Sequence, residues 1–118
     1  MKWLITVSII LTCSLAHAGI TEQEVNRIAD GIYRIEGGIK ARKPFGILSI
    51  PCNGYDECRT IAKNTIRNNY KRWIKAGQQG EYLTFLARRY CPIGAENDPQ
   101  GLNKNWLKNL KAVLNERN

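Results

Sequence analysis

A capped amphipathic segment that ends in a glutamate and two glycines constrains the fold of this chain more than any other feature. Thr21 precedes Glu24 at the spacing of a capping box, which predicts a helix that begins here and runs to Glu36. At the helical period the apolar side chains share one face: Val25, Ile28, Ala29 and Ile32. Gly37-Gly38 then end the helix, as glycine commonly does. The chain therefore has at least one well-defined core helix.

Glu36 lies four residues after Ile32 and continues the apolar face of this helix. We expect its carboxyl group to point toward the core or into a cleft. Apolar surroundings disfavour the charged form of a carboxyl group, so the pKa of Glu36 should be raised. A carboxyl group that keeps its proton near neutral pH can act as a general acid. Glu36 is therefore the candidate catalytic residue.

Residues 39–55 interrupt the helical pattern. They contain two prolines, two glycines and a cluster of apolar residues, a composition that suits a short β-hairpin or an irregular lobe beside the first helix. Asp56 can cap a second helix that ends at Gly77, a third is predicted over 81–90, and Asn103 can cap the last. The predicted fold class is mainly α (α+β), a small helical domain.

The first 18 residues are organised like a secretory signal peptide. Met1-Lys2 is a basic start, residues 3–15 are an apolar run, and Ala16-His17-Ala18 is a small-x-small cleavage signal. The alternative is a membrane anchor, but the run is shorter than the ~20 residues that a spanning helix needs. We therefore expect an exported protein, periplasmic or extracellular, with a single domain over residues 19–118 and no stable membrane insertion after cleavage.

Cleavage of this signal removes the chain's only histidine, His17. Without histidine the mature chain has no Ser-His or Cys-His nucleophile pair and no histidine-ligated zinc site, which argues against most exported peptidases and zinc amidases. We expect neither a metal nor a cofactor.

The basic charge of the chain bears on its partner. The net charge of +8 becomes +7 once Lys2 leaves with the signal. For an exported protein such a charge favours cell wall or anionic lipid as partner, rather than nucleic acid. The alternative is a soluble basic surface without a dedicated partner. We expect a monomer.

Three cysteines follow the signal: Cys52, Cys58 and Cys91. An exported chain can form one disulfide from them and leave one thiol. We predict Cys58–Cys91, because that bond would join two core helices and close a long loop, worth about 3–4 kcal/mol in the chain-entropy model. Cys52–Cys58 is the competing pair.

The spacing from Glu36 to the segment Phe45-Gly46-Ile47-Leu48-Ser49-Ile50 resembles that of lytic transglycosylases and goose-type lysozymes. In this part of the lysozyme-like superfamily a catalytic glutamate ends a helix, and an aromatic-Gly-Leu-Met-Gln-Ile segment follows about ten residues later. The Glu-Gly-Gly sequence is also similar to that of several phage and bacterial muramidases. The resemblance covers roughly residues 21–90. This chain differs from the family pattern at two positions: it has Gly37 where the pattern has serine, and Ser49 where the pattern has glutamine. The nearest match to the pattern's tyrosine-asparagine segment is Arg89-Tyr90.

The resemblance implies cleavage of peptidoglycan glycan strands. Most glycosidases need two carboxyl groups, whereas a lytic transglycosylase uses one glutamate as acid and then as base. No other carboxyl group lies between Glu36 and Asp56. Asp56 and Glu57 are candidates for a second carboxylate, although helix capping and a solvated first turn explain them more simply.

Three residues are candidates for contacts with the sugar. Ser49 could bond Glu36 or an acetamido group, and Tyr33 and Tyr90 could line the cleft. The alternatives are a plain loop serine and ordinary core packing of the tyrosines. Trp73 and Trp106 occur at helical spacing among aliphatic residues, so we assign both to the core.

Two other functions fit the same sequence less well. One is a catalytically inactive lysozyme-like module that binds cell wall or an envelope partner, which the small size favours. The other is a basic protein that acts on membranes, which is weaker because no single helix is strongly amphipathic and basic.

Overall fold

The computed structural model describes residues 19–47, 50–96 and 98–116, and this part of the chain is mainly helical, as predicted. Its α-helices are α1 (Glu22–Ile35), α2 (Gly54–Lys75), α3 (Tyr82–Tyr90) and α4 (Lys104–Glu116). None of the described helices is both long and apolar enough to cross a membrane. The predicted signal peptide, residues 1–18, and Ser49 lie outside the described residues.

The segment between α1 and α2 is an irregular lobe. It contains two short 3-10 turns, Gly38–Lys40 and Pro44–Gly46, and the described residues form no strand. The β-hairpin that the sequence allowed is therefore not shown here. Glycines with positive φ at Gly37 and Gly46 bend the backbone too sharply for an extended ladder.

Helix α1 forms as the sequence predicts. The Thr21 hydroxyl accepts the backbone N–H of Glu24 at 3.1 Å, which satisfies one free donor of the first turn. The predicted apolar face is buried and packs against α2 and α4. At Gly31 a Cβ atom would lie 2.9 Å from the Leu110 side chain, so the bare glycine lets α1 and α4 approach closely. This packing brings α4 beside the end of α1.

The helix boundaries shift only slightly from those predicted. Helix α2 begins at Gly54, and Asp56 lies in its first turn rather than at its cap. The helix ends before Gly77, whose φ is 93°, as predicted. Helix α4 begins directly after Asn103. The core draws on all four helices and on one residue of the lobe: Val25, Ile28, Ala29, Ile32, Phe45, Cys58, Ala62, Ile66, Leu86, Trp106, Leu110 and Leu114.

The disulfide joins Cys52 to Cys58, and the predicted Cys58–Cys91 pairing is wrong. Cys58 is fully buried in α2, and its nearest cysteine in sequence comes from the loop that leads into this helix. Cys91 follows α3, and its half-buried thiol is unpaired among the described residues. The bond therefore anchors the end of the irregular lobe to α2.

Replacing Cys52 with serine should lower the free energy of unfolding by about 2 kcal/mol, as the chain-entropy model gives for so short a loop. The separation of 6 residues is what keeps this value modest. Chemical denaturation with and without reductant measures it. Cys91→Ser is the matched control and should respond to reductant as the wild type does. A Cys91→Ser protein that no longer responds would contradict the pairing.

Candidate active site

Glu36 follows Ile35 directly and caps the C-terminal end of α1. Its backbone N–H donates to the Ile32 carbonyl, and Gly37 follows with φ 109°, a conformation that favours glycine. The Glu36 side chain is half-buried. Its Oε1 atom accepts a hydrogen bond from the indole Nε1 of Trp106 at 2.8 Å. The last helix thus orients the carboxyl group that the first helix presents.

Gly46 lies against the other carboxyl oxygen. A Cβ atom built at this position would overlap Glu36 Oε2, and Gly46 also has φ +67°. Only glycine meets both conditions, the left-handed backbone and the contact with the carboxyl group. The turn Pro44–Gly46 therefore forms one wall around Glu36.

Phe45 holds this turn in a strained conformation. It is a buried non-glycine residue with φ 63°, a region that side chains seldom adopt. The Tyr90 hydroxyl donates to the Phe45 carbonyl at 2.6 Å. The rings of Tyr33 and Tyr55 lie 5.1 and 5.7 Å from the Phe45 ring. These contacts fix the backbone beside Gly46, and so the wall around Glu36.

Tyr90 connects the turn to Trp106. Its ring stacks on the Trp106 indole with centroids 5.2 Å apart and an angle of 22° between the planes. Burial, with the nearby charge of Glu36 as a second cause, raises the pKa of Tyr90 far above its ordinary value. Its hydroxyl therefore stays protonated and can keep donating to Phe45.

Burial raises the pKa of Glu36, the direction that the apolar stripe of α1 predicts. The hydrogen bond from Trp106 acts in the opposite direction, because it stabilises the carboxylate, and it only partly offsets the effect of burial. The site thus favours the protonated acid yet supplies one donor for the charged form. A group that first gives and later takes up a proton needs both.

A pocket of about 240 Å³ opens beside this carboxyl group. Among the described residues that line it, only Glu36 carries a carboxyl group. Asn103, Asn105 and Asn109 contribute amide side chains, and Tyr90 and Trp106 contribute aromatic rings. Asp56 and Glu57, the candidates for a second carboxylate, do not belong to this lining.

Asp98 lies in the loop that contributes Pro92 and Leu102 to the pocket, but its carboxyl oxygens already accept hydrogen bonds from the backbone. They accept the backbone N–H groups of Gly94, Leu102 and Asn103 at 2.8–3.1 Å, and the residue is only 5% exposed. Burial would raise the pKa of Asp98, but these three donors outweigh burial and hold it below its ordinary value. Asp98 therefore shapes the loop before α4.

Cys91 is the remaining ionisable group of the pocket wall. Burial, together with the nearby charges of Glu36 and Asp98, raises the pKa of its thiol to about 11. The thiolate is the nucleophilic form of cysteine, and it is scarce at neutral pH under these conditions. Cys91 is therefore a wall residue and a poor nucleophile.

The predicted substrate-binding residues fall into three groups. Tyr90 lines the pocket. Tyr33 does not: its ring packs with Phe45 and with Tyr55, 5.0 Å away, so its role is to support the turn. Ser49 lies outside the described residues.

Sequence reasoning missed four residues of the site: Gly46, Trp106 and two asparagines of α4, Asn105 and Asn109. Trp106 is buried, as assigned, but its N–H serves Glu36. Asn105 and Asn109 lie four residues apart, on one face of α4 beside a buried ring. Asparagine is a weak helix former, so a pair of asparagines on one face of a short helix indicates a role other than helix formation. This pattern could have identified the two residues from the sequence.

Trp106→Phe should raise the pKa of Glu36 further, because it removes the donor that stabilises the carboxylate while burial remains. The alkaline limb of any activity that depends on Glu36 should then move to higher pH. NMR titration of the Glu36 side chain measures the same change directly.

Trp73→Phe is the matched control. Trp73 packs with Tyr70 and Tyr82, and its buried Nε1 has no acceptor among the described residues. This control should leave the titration of Glu36 unchanged. A Trp106→Phe titration that stays in place or moves to lower pH would show that the indole does not act on the carboxyl group.

The part of the chain that the structure describes contains no cluster of three or more His, Cys, Asp or Glu side chains suited to hold a metal ion. Comparisons of the chain with protein-family models, with curated proteins and with solved structures gave no match. The chemistry of the pocket is therefore the basis for assigning a function.

Proposed function

We propose that this chain is an exported glycosidase of lysozyme-like fold that cleaves peptidoglycan, with Glu36 as its general acid and base. The proposal depends on the environment of the Glu36 carboxyl group. This group is half-buried, its pKa is raised, and it borders a pocket lined by amides and aromatic rings. A carboxyl group with a raised pKa keeps its proton to higher pH than an ordinary one, and it can deliver that proton to a bound glycosidic oxygen.

The reaction that fits one carboxyl group is that of a lytic transglycosylase. Glu36 protonates the oxygen between N-acetylmuramic acid and N-acetylglucosamine as the bond from that oxygen to C1 of the muramyl sugar breaks. The carboxylate then takes the proton of the muramyl 6-hydroxyl, whose oxygen bonds to C1 and closes a 1,6-anhydro ring. Glu36 ends protonated, and no water is consumed. The pocket lining supports this reaction, since its described residues offer no second carboxyl group to activate water.

The neighbours of Glu36 have separate roles in this scheme. Trp106 stabilises the carboxylate that exists between the two proton transfers. Tyr90 and Gly46 keep the carboxyl group in place. The amides of Asn105 and Asn109 are suited to hydroxyl and acetamido groups of a sugar, since each can donate and accept.

The proposal includes export through residues 1–18, a monomeric domain and peptidoglycan as partner. A catalytically inactive module that binds the cell wall or an envelope partner is the alternative. The small pocket favours it, because about 240 Å³ is below the roughly 300–1,000 Å³ of common ligand sites.

Incubation of the mature protein with purified sacculi tests the choice. Glycosidase activity predicts soluble muropeptides in the supernatant and a fall in turbidity. Sedimentation of the protein with sacculi that stay intact would instead favour the binding module. Neither release nor co-sedimentation from several wall types would contradict both functions.

A further inference from the structure

A second pocket, of about 310 Å³, shares a wall with the pocket of Glu36. Cys91, Pro92 and Asn103 line both. The second pocket lies between α3 and α4, which contribute Arg88 and Leu107 to it. A ligand in the first pocket with a branch of a few atoms could extend across this common wall.

The lining of the second pocket differs from that of the first. Its walls are apolar, formed by Ala87, Leu107 and the 67%-exposed Ile93. Arg88 and Lys104 add two exposed cations, and neither forms an ion pair with a described residue. Neither a carboxyl group nor an aromatic ring belongs to the described lining.

This combination suits one kind of ligand. Two cations that form no ion pair with a described residue, beside an apolar wall, complement a short chain that carries both carboxylates and methyl groups. A further sugar ring is a poor occupant, because the described lining offers no aromatic face on which a ring could stack.

We infer that the second pocket binds the acidic peptide that is attached to the lactyl group of N-acetylmuramic acid. Arg88 and Lys104 pair with its carboxylates, and Ile93 and Leu107 contact its alanine methyl groups. The inference rests on the proposed function, since it assumes a muramyl sugar in the pocket of Glu36. The protein then selects strands that still carry their peptides over bare glycan.

Binding of two defined ligands tests this inference. The ligands are a peptidoglycan tetrasaccharide with its peptides and the same tetrasaccharide without them, titrated by calorimetry into mature Glu36→Gln protein so that neither is consumed. The peptide should tighten binding about tenfold, the combined effect of two exposed charge pairs and a small apolar contact. Arg88→Gln/Lys104→Gln should lose this preference.

The matched control is Lys71→Gln/Lys75→Gln, which removes the same charge from exposed positions on α2 outside this pocket. It should keep the preference. Equal affinity for the two ligands, no binding of either, or an equal loss of preference in both double variants would overturn the inference.

Binding and cleavage of the same two ligands by the wild-type protein distinguish a failure of this inference from a failure of the proposed function. If it binds the peptide-bearing ligand preferentially but leaves it uncut, the glycosidase proposal fails and the peptide site stands. If it cuts both ligands and binds them equally, the peptide site is overturned and the glycosidase proposal stands.

Discussion

Glu36→Gln should reduce release of soluble fragments from peptidoglycan by roughly a thousandfold, the scale of a lost general acid. Glutamine has nearly the same shape and can still accept the Trp106 N–H, but it cannot deliver a proton. Glu57→Gln is the matched control: it makes the same change at an exposed position in the first turn of α2, outside the pocket. We expect the control to keep full activity. Equal activity of the Glu36→Gln and wild-type proteins would remove Glu36 from the mechanism.

The same variant should be more stable than the wild type at neutral and higher pH. The folded-state pKa of Glu36 is raised, so folding favours the protonated acid. Its contribution to stability is fully present below the ordinary carboxyl pKa of about 4.3 and is lost as pH rises through the raised value. Glutamine stays neutral and avoids that loss. The unfolding temperatures of the two proteins should therefore coincide in acid and diverge as pH rises. A variant that unfolds at a higher temperature than the wild type is folded, so misfolding would not explain its lost activity.

Gly46→Ala should also abolish most of the activity, by roughly a hundredfold or more, although it leaves every reacting group in place. The new Cβ atom would overlap Glu36 Oε2, so the carboxyl group or the turn must move. A displacement of about 1 Å at a reacting group can reduce a rate about a hundredfold. Rates on solubilised glycan strands and the NMR shift of Glu36 should change together.

Gly80→Ala is the matched control, because it introduces the same backbone strain without a contact between the new Cβ atom and Glu36. Gly80 has φ +73°, close to the +67° of Gly46, but a Cβ atom there would meet no other atom within 4 Å. Both variants should lose about 1–2 kcal/mol of stability, because alanine is strained in this region. Only Gly46→Ala should lose activity. A parallel loss in the two variants would show that strain, rather than contact with the carboxyl group, is responsible.

The position of Glu36 at the end of α1 was predictable, because it depends only on sequence features close to it in the chain. The capping box, the apolar stripe and the two glycines all lie within residues 21–38, and each acts over a turn or two of helix. They therefore place Glu36 at the end of a core helix without knowledge of the rest of the chain. The structure agrees with them closely.

The rest of the site depends on contacts between distant residues. Trp106 lies 70 positions from Glu36, and its helical spacing indicates burial without revealing what its N–H bonds. The glycine at position 46 could be read as a turn, but its contact with the carboxyl group appears only in three dimensions. Long-range packing decides both.

The disulfide shows a similar limit. Loop-closure entropy favours the longer Cys58–Cys91 loop, but it describes the unfolded chain and does not determine which sulfur atoms meet in the folded one. The loop before α2 brings Cys52 to Cys58, whereas Cys91 lies in the wall that the two pockets share.

Mass spectrometry of peptidoglycan digested by the mature protein in ¹⁸O-labelled water is the most direct test of a single carboxyl group acting as acid and base. We predict 1,6-anhydro-muropeptides without ¹⁸O from the wild type and none from Glu36→Gln. Reducing-end muropeptides that carry ¹⁸O would contradict this mechanism, since they require an activated water and therefore a second catalytic group.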